Sequence, residues 1–215
     1  MADLRLSVDA FWTSPYAFSA FVALKEKGLA FEVDEVGLHK GEHQHPKALA
    51  ASLTGRVPVL SDHGWTLSES SAIDEYLEDA FPAPGYPRLF PEEVRERARA
   101  RQLMAWVRSD LMPIRAERPT TTLFYENMDV APLSTAAQGS AARLLAVADA
   151  LISPGRSTLF SAFCIADADF ALMLLRLLWN AHPAPKKVQT YVEAQWARPS
   201  VRAWVEHPRA PYVPY

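Results

Sequence analysis

The chain has a single cysteine, Cys164, among its 215 residues, so it cannot form an internal disulfide framework. One isolated thiol fits a reducing compartment. An excess of basic residues is absent as well, because 22 Lys and Arg stand against 25 Asp and Glu and give a formal net charge of −3. This balance argues against a surface that binds nucleic acid by releasing counterions.

Long apolar runs are missing too. The longest, Phe170 to Trp179, is too short to span a bilayer and contains Arg176, and the first five residues have no apolar signal core. Hydrophobic residues still make up 49% of the chain, which is enough for a substantial core. We therefore expect a soluble, cytoplasmic protein with no membrane partner and no nucleic-acid partner.

The first part of the chain alternates strands and helices. Apolar residues alternate from Leu4 to Val8, as in a half-buried strand. Ser14 then precedes Pro15, which places an N-cap hydroxyl before a proline at the first helical position. Gly28 ends this helix as a C′ glycine, and a second strand follows at Phe31 to Val36.

The next segments complete one domain. His39 to Ala51 is polar and tolerates a helix. Val57 to Ser61 and Trp65 to Ser68 predict a β-hairpin, and apolar residues at helical spacing predict a helix from about Ser70 to Phe81. This order, βαβαββα, is that of a thioredoxin-like α/β domain, which we place at residues 1–81.

A linker and an all-helical domain follow. Prolines recur between residues 82 and 91, where they cannot continue a helix or join a central strand. Only helical patterns appear in residues 92–215, which we interpret as an all-α C-terminal domain. Its predicted helices are Val94 to Met112, Ser134 to Ile152, Ala166 to Trp179, Val188 to Ala197 and Ser200 to Val205.

One stretch of the first domain has the pattern of an anion-binding cradle. Pro58 interrupts a strand, where a proline removes a donor to the sheet, so it predicts a turn or a cis Val57-Pro58 bond. Further on, Glu69-Ser70 opens a helix whose first N–H groups have no partners within the helix. Exposed backbone beside a helix N-terminus can hold a small anion.

The chain resembles the cytosolic glutathione S-transferase superfamily through this stretch. The pattern is Val-Pro-x-Leu from Val57, followed by Leu-x-Glu-Ser-x-x-Ile-x-x-Tyr-Leu from Leu67, and it is similar to the glutathione-binding signature of that family. The resemblance implies a homodimeric enzyme of detoxification and oxidative stress. Glutathione would be its co-substrate, with its thiol activated for attack on electrophiles.

Ser14 is the catalytic candidate that the resemblance implies. In the family, a Ser, Tyr or Cys after the first strand donates a hydrogen bond to the glutathione sulfur and lowers the pKa of its thiol. A helix N-terminus favours the thiolate as well. Thr13 is the runner-up hydroxyl and Tyr16 a third, while a role for Ser14 as N-cap alone is the structural alternative.

The implied glutathione-binding residues are Arg56, Val57, Pro58, Glu69, Ser70 and His43, with Lys40 as a further candidate. The Val57 backbone pairs with the cysteinyl part of the tripeptide. Ser70 and its N–H take the γ-glutamyl carboxylate, and Glu69 takes the ammonium group. Arg56 and His43 serve the glycyl carboxylate.

The segment Arg101 to Arg118 most resembles a bacterial group, the YfcF-type glutathione transferases, for which glutathione peroxidase activity is implied. Trp106, Arg108 and Arg115 would then lie near the site of the second substrate, a small electrophile or peroxide. An ion-paired helix end explains these three residues equally well.

Two other clusters have structural interpretations. His39 and His43 are one helical turn apart and raise the question of a metal site. No cysteine lies nearby and Glu42 is the only close carboxylate, so we expect no metal. Cys164 to Asp167 is similar to the family's helix cap, with cysteine in place of a hydroxyl residue, and this assigns Asp167 a structural role.

Two other functions are compatible with the same fold. Thiol–disulfide exchange would need a cysteine at Thr13 or Ser14, and neither position has one. A non-catalytic glutathione-binding or interaction protein would need only the binding motif, so this alternative stays open.

Overall fold

The computed structural model describes residues 4–125 and 130–214. The chain divides into two compact units, one with the described residues up to Leu89 and those from Ala203 onward, the other Phe90–Arg202. The C-terminal segment belongs to the first unit because Trp204 is fully buried there, with its ring 5.4 Å from that of Phe21. The helical unit therefore ends at Arg202, whereas the sequence predicts a helical domain that extends to residue 215.

The first unit is built on a four-stranded sheet among its described residues. Strands β1 to β4 are Leu4–Asp9, Phe31–Val36, Val59–Asp62 and Trp65–Ser68. The sheet order is β2-β1-β3-β4; β1 and β2 are parallel, and β3 is antiparallel to both of its neighbours. Helices α1, Pro15–Glu26, α2, Pro46–Ala51, and α3, Ser70–Ala80, complete the predicted thioredoxin-like order, which is thereby confirmed.

The core of this unit forms because alternate residues of β1 and whole turns of α1 are apolar. Leu6 and Val8 of β1, Phe18 of α1 and Leu77 of α3 are all fully buried. Each such side chain contributes roughly 1.5–3 kcal/mol through burial. The α1–α3 contact also contains a hydrogen bond from Ser19 Oγ to a carboxylate of α3 at 3.1 Å, so the packing is partly polar.

Two connections of the first unit have a local structure that the sequence does not predict. Residues 38–40 and 42–44 form 3₁₀ turns before α2, where the sequence predicts only a polar segment that tolerates a helix. In the linker, the Ala83-Pro84 bond is cis, which the sequence analysis did not predict. The β3–β4 hairpin turns through His63 and Gly64, both with positive φ, as a two-residue hairpin requires.

The second unit consists of helices among its described residues, which confirms the predicted all-helical architecture. Helices α4 to α9 are Val94–Ser109, Met112–Glu117, Thr121–Phe124, Thr135–Leu151, Ile165–Leu178 and Lys186–Trp196, and α10, Pro199–Val205, begins there. All residues of α8 from Ile165 to Leu177 are buried, so α8 is the central helix. The predicted helix to Met112 ends earlier, at Ser109, because Leu111 adopts a left-handed conformation and a new helix, α5, begins at Met112 with Pro113 in its first turn.

Asp167 caps α8, as its predicted structural role requires. Its Oδ2 accepts a hydrogen bond from the N–H of Cys164 at 2.9 Å, and its Oδ1 accepts from the N–H of Leu159 at 2.8 Å and from the hydroxyl of Tyr191 at 3.0 Å. Burial raises the pKa of the Cys164 thiol well above its usual range. The thiol is therefore protonated at neutral pH and unreactive.

Among the described residues, every helix is too short or too polar to span a membrane.

A second carboxylate joins the β3–β4 hairpin to α3. Tyr76 donates a hydrogen bond to Asp62 Oδ2 at 2.5 Å, and His63 Nδ1 lies 2.6 Å from Asp62 Oδ1. The hydrogen bond from Tyr76, followed by that from His63, lowers the pKa of Asp62, and the same bond raises the pKa of Tyr76 to about 12.

We expect Tyr76→Phe to lower the free energy of unfolding by about 1 kcal/mol at neutral pH, because it removes one charge-assisted hydrogen bond from a partly exposed pair. A carboxyl whose pKa is lowered by folding adds stability above its unfolded pKa of about 3.9, and that stability is lost as the pH falls through the folded pKa. The two proteins should therefore converge in acid. Urea denaturation from neutral pH to about pH 3 measures this, and a difference independent of pH would contradict it.

Candidate functional site

The pairing register of the sheet brings the predicted binding segments to one edge. Asp9, the last residue of β1, pairs with Val36, the last residue of β2. Val59, the first residue of β3, pairs with Ser7 of β1 and with Ser68, the last residue of β4. The segments that enter or leave the sheet at this edge are residues 10–14, 37–44, 54–58 and 69–70.

Two helices begin at the same edge. α1 begins at Pro15, directly after the loop that follows β1, and α3 begins at Ser70, directly after β4. The N–H groups in the first turn of each helix and the helix dipoles favour negative charge at this position. The edge is therefore suited to an anionic ligand that contacts several chain segments.

Asp9 fixes the loop between β1 and α1. Its carboxylate is 1% exposed and accepts three hydrogen bonds. Oδ2 accepts from the N–H of Thr13 at 2.8 Å and from its Oγ1 at 2.9 Å, while Oδ1 accepts from the N–H of Ser14 at 2.9 Å. The sequence assigns no role to Asp9, although an acid at the end of a buried strand, five residues before an N-cap, is a signal that could have identified it.

The two candidate hydroxyls differ in how their protons are used. Thr13 is buried, and its hydroxyl donates its proton to Asp9. Ser14 is half-buried, and its Oγ accepts a hydrogen bond from the N–H of Ala17 at 3.2 Å as the N-cap of α1. That bond uses a lone pair of Oγ, so the Ser14 hydroxyl can still donate. The geometry therefore favours Ser14 over Thr13 as a donor to a ligand.

The proline segment has the geometry that its sequence predicts. The Val57-Pro58 bond is cis, and β3 begins only at Val59. Ser52 forms two hydrogen bonds with the backbone of Arg56, the residue before Val57. Its Oγ accepts from the N–H of Arg56 at 3.1 Å and donates to the C=O of Arg56 at 2.9 Å. The Arg56 side chain is exposed and the Val57 residue half-buried at this edge.

The start of α3 has an unusual backbone. Glu69 adopts φ +71 and ψ 113, a left-handed conformation that is unfavourable for a residue with a side chain. Such conformations cost about 1–3 kcal/mol each and concentrate at functional sites. Glu69 is exposed, whereas Ser70 is 3% exposed at the first position of the helix. The sequence predicts the roles of both residues but gives no sign of this backbone conformation.

The histidine segment lies at the same edge of the sheet. His43 is half-buried and Lys40 exposed, and the ring of His39 lies 4.8 Å from that of Phe11. In the part of the chain that the structure describes, no group of three or more His, Cys, Asp or Glu side chains could hold a metal ion.

The three residues predicted for a second substrate have structural contacts in the helical unit. Arg108 Nη1 pairs with Asp169 Oδ2 of α8 at 2.6 Å, and Arg115 Nη1 donates to the C=O of Arg108 at 2.7 Å. Trp106 donates from Nε1 to Asp110 at 3.1 Å and lines a cavity of about 370 Å³ between α4 and α7. The ion pair of Arg108 matches the structural alternative for that residue, and the substrate role of all three residues stays a prediction.

Two family models match the chain. One described as the glutathione S-transferase N-terminal domain matches residues 13–80, and one described as the glutathione S-transferase C-terminal domain matches residues 93–208. A solved glutathione transferase homologue from Burkholderia GL BGR1 with bound glutathione is 48% identical, with a TM-score of 0.80, and the match covers 94% of this chain and 96% of that one.

Curated relatives agree with this family. Glutathione S-transferase 3 of Zea mays is 30% identical over 90% of this chain and 84% of its own length. Maleylacetoacetate isomerase of Pseudomonas aeruginosa is 37% identical over 51% of each protein. The chain spans about half the length of several curated relatives that it matches.

We expect Asp9→Asn to lower the free energy of unfolding by about 2–3 kcal/mol, because the amide weakens charge-assisted bonds and turns an NH₂ group toward a backbone donor. Asp34→Asn is the matched control. It removes a carboxylate that pairs with Arg5 in a half-exposed surface contact, which is worth less than about 1 kcal/mol. Urea denaturation compares the two, and equal losses would contradict a special role for Asp9.

Proposed function

Because the chain belongs to the glutathione S-transferase family, we propose that it is a glutathione transferase that binds glutathione at this edge of the sheet. The supporting observation is the Ser14 hydroxyl, which can donate a hydrogen bond at the N-terminus of α1, on a loop fixed by Asp9. A donor at this position stabilises a thiolate more than a thiol.

In this mechanism Ser14 donates its hydrogen bond to the sulfur of glutathione and lowers the pKa of the thiol. The thiol proton leaves to solvent, and the sulfur attacks the electrophilic centre of the second substrate while the leaving group departs with its electron pair. The α1 dipole acts in the same direction as Ser14, because it also favours negative charge on the sulfur.

The remaining residues bind and orient the tripeptide. The Val57 backbone, placed by Pro58, pairs with the cysteinyl residue of glutathione. Ser70 and the first turn of α3 take the γ-glutamyl carboxylate, and Glu69 takes its ammonium group. Arg56 and His43 serve the glycyl carboxylate. We assign no metal to this site.

A further part of the proposal concerns the second substrate, the cellular location and the oligomeric state. On the resemblance of Arg101 to Arg118, we place the chain in the YfcF-type group, with peroxide as a substrate beside small electrophiles. Two glutathione thiols would then supply two electrons and give glutathione disulfide, an alcohol and water. The helical unit supplies the second-substrate site with Trp106, Arg108 and Arg115. The enzyme acts in the cytoplasm as a homodimer.

Ser14→Ala should lower turnover with a halonitrobenzene by about 10²-fold while the Kd of glutathione changes little, because the hydrogen bond strengthens as the sulfur becomes anionic. Thr13→Val is the paired variant, since its hydroxyl proton is already used by Asp9. Steady-state kinetics and calorimetry give both quantities. A larger loss of turnover in Thr13→Val than in Ser14→Ala would assign the role to Thr13. A wild-type protein that binds glutathione but has no transferase activity would favour the non-catalytic alternative.

Ser70→Ala should weaken glutathione binding by about 1–3 kcal/mol and leave turnover at saturation nearly unchanged, because a charged carboxylate loses a partner. Ser71→Ala is the control, as the next side chain along α3 is exposed. Isothermal titration calorimetry measures both. If Ser70→Ala binds glutathione as tightly as Ser71→Ala does, Ser70 does not hold the γ-glutamyl carboxylate.

A further inference from the structure

The segment that follows α10 packs against the loop that carries Ser14. We propose that His207 and Arg209 are positioning residues, which hold Trp12 and thereby keep the Ser14 hydroxyl in the orientation that activates glutathione. This inference rests on the proposed function of Ser14, but the contacts that carry it are independent of any ligand.

The Trp12 side chain is buried, with an aromatic ring stacked on one face and a hydrogen bond at its edge. It is 3% exposed, and the ring of His207 stacks on it with centroids 3.5 Å apart and 18° between the planes. Its Nε1 donates to Glu35 Oε1 at 2.7 Å, and that oxygen lies 3.5 Å from His207 Nε2. Trp12, His207 and Glu35 thus form one cluster, in which the indole cannot turn without breaking a hydrogen bond and a stacked contact.

The Trp12 backbone needs such support. Its φ of +52 is left-handed, which is unfavourable for a large side chain and persists only where surrounding contacts impose it. Its N–H donates to the C=O of Asp9 at 2.9 Å, and its C=O accepts from Arg209 Nη2 at 3.4 Å. The next two residues along the chain are the ones that donate to the Asp9 carboxylate.

Arg209 links the C-terminal segment to this loop. Its guanidinium also donates to the C=O groups of Trp204 at 2.9 Å, Val205 at 2.8 Å and His207 at 3.0 Å. Trp204 is fully buried, with its ring 4.7 Å from that of Trp12, and so anchors the segment. One side chain therefore organises its own segment and binds the carbonyl of Trp12.

The Asp9 carboxylate holds Thr13 and Ser14, and the C-terminal segment holds Trp12, the residue before them. Without the contacts from the C-terminal segment, Trp12 would be free to change its left-handed conformation. The Ser14 hydroxyl would then spend less time in a reactive orientation, and a small displacement of a catalytic group has a large effect on rate. The residues that bind the glutamyl and glycyl ends of glutathione would be unaffected.

The test compares Arg209→Ala and His207→Ala with the wild type. Arg202→Ala, an exposed arginine on α10, is the matched control. His207→Phe is the conservative variant that keeps an aromatic ring on Trp12. Circular dichroism and thermal unfolding identify any variant that does not fold, and the His207→Ala and His207→Phe pair carries the comparison if Arg209→Ala fails.

We expect hydrogen exchange of the Thr13 and Ser14 amides to rise about tenfold or more in the two alanine variants. Turnover should fall about tenfold, with the thiol pKa of bound glutathione raised toward that of free glutathione and its Kd nearly unchanged. His207→Phe should recover most of the loss, and Arg202→Ala should behave as the wild type. This combination supports a positioning role, because general destabilisation would not separate thiol pKa from Kd.

Unchanged exchange in both alanine variants would overturn the proposal, as would faster exchange with an unchanged thiol pKa and turnover. A wild-type protein that binds glutathione without lowering its thiol pKa would instead overturn the proposed function. In that case the exchange rates still decide whether His207 and Arg209 hold the loop.

Discussion

A buried carboxylate at the end of β1 accepts hydrogen bonds from Thr13 and Ser14, the two residues whose hydroxyls are candidates for the proposed catalytic role. Burying a charge is unfavourable unless hydrogen bonds replace its hydration, and Asp9 obtains three of them from Thr13 and Ser14. The same bonds select between the hydroxyls, because they use the Thr13 proton and leave the Ser14 proton available. The difference in hydrogen bonding between the two hydroxyls thus follows from the way in which the loop satisfies one buried carboxylate.

The sheet supplies the frame around this interaction. Antiparallel pairing of β3 with both neighbours brings the start of β3 and the end of β4 beside the end of β1. The cis Val57-Pro58 segment and the left-handed Glu69 therefore lie at the edge where α1 and α3 begin. Backbone donors, two helix N-termini and the Ser14 hydroxyl lie at this edge, an arrangement that favours an anionic ligand.

The sequence predicted those features that depend on near neighbours. The element order and the cradle segments could be inferred because their signals act within a few residues. These signals are the spacing of hydrophobic residues, the N-cap at Ser14, the hairpin and Pro58, which interrupts a strand. It did not reveal the roles of Asp9 or of Lys27, which is 1% exposed and pairs with Glu78 of α3 at 2.7 Å. Burial of a charge depends on partners brought together by tertiary packing, and a local pattern does not contain them.

The packing of the C-terminal segment in the first unit is the feature that local sequence patterns are least able to predict. His207 and Arg209 lie in a proline-rich tail with no periodic pattern, and their contacts with Trp12 join residues almost 200 positions apart. Sequence separation of this size leaves no local signature. The positive φ of Glu69 is a smaller example, since glycine is the residue that usually marks such a conformation.

A crystal structure of the protein with glutathione bound would test the role of Ser14 most directly. We expect the sulfur to lie within hydrogen-bond distance of Ser14 Oγ, with the cysteinyl backbone beside Val57 and the γ-glutamyl carboxylate at the first turn of α3. A tripeptide bound elsewhere, or at this edge with its sulfur directed away from Ser14, would contradict it.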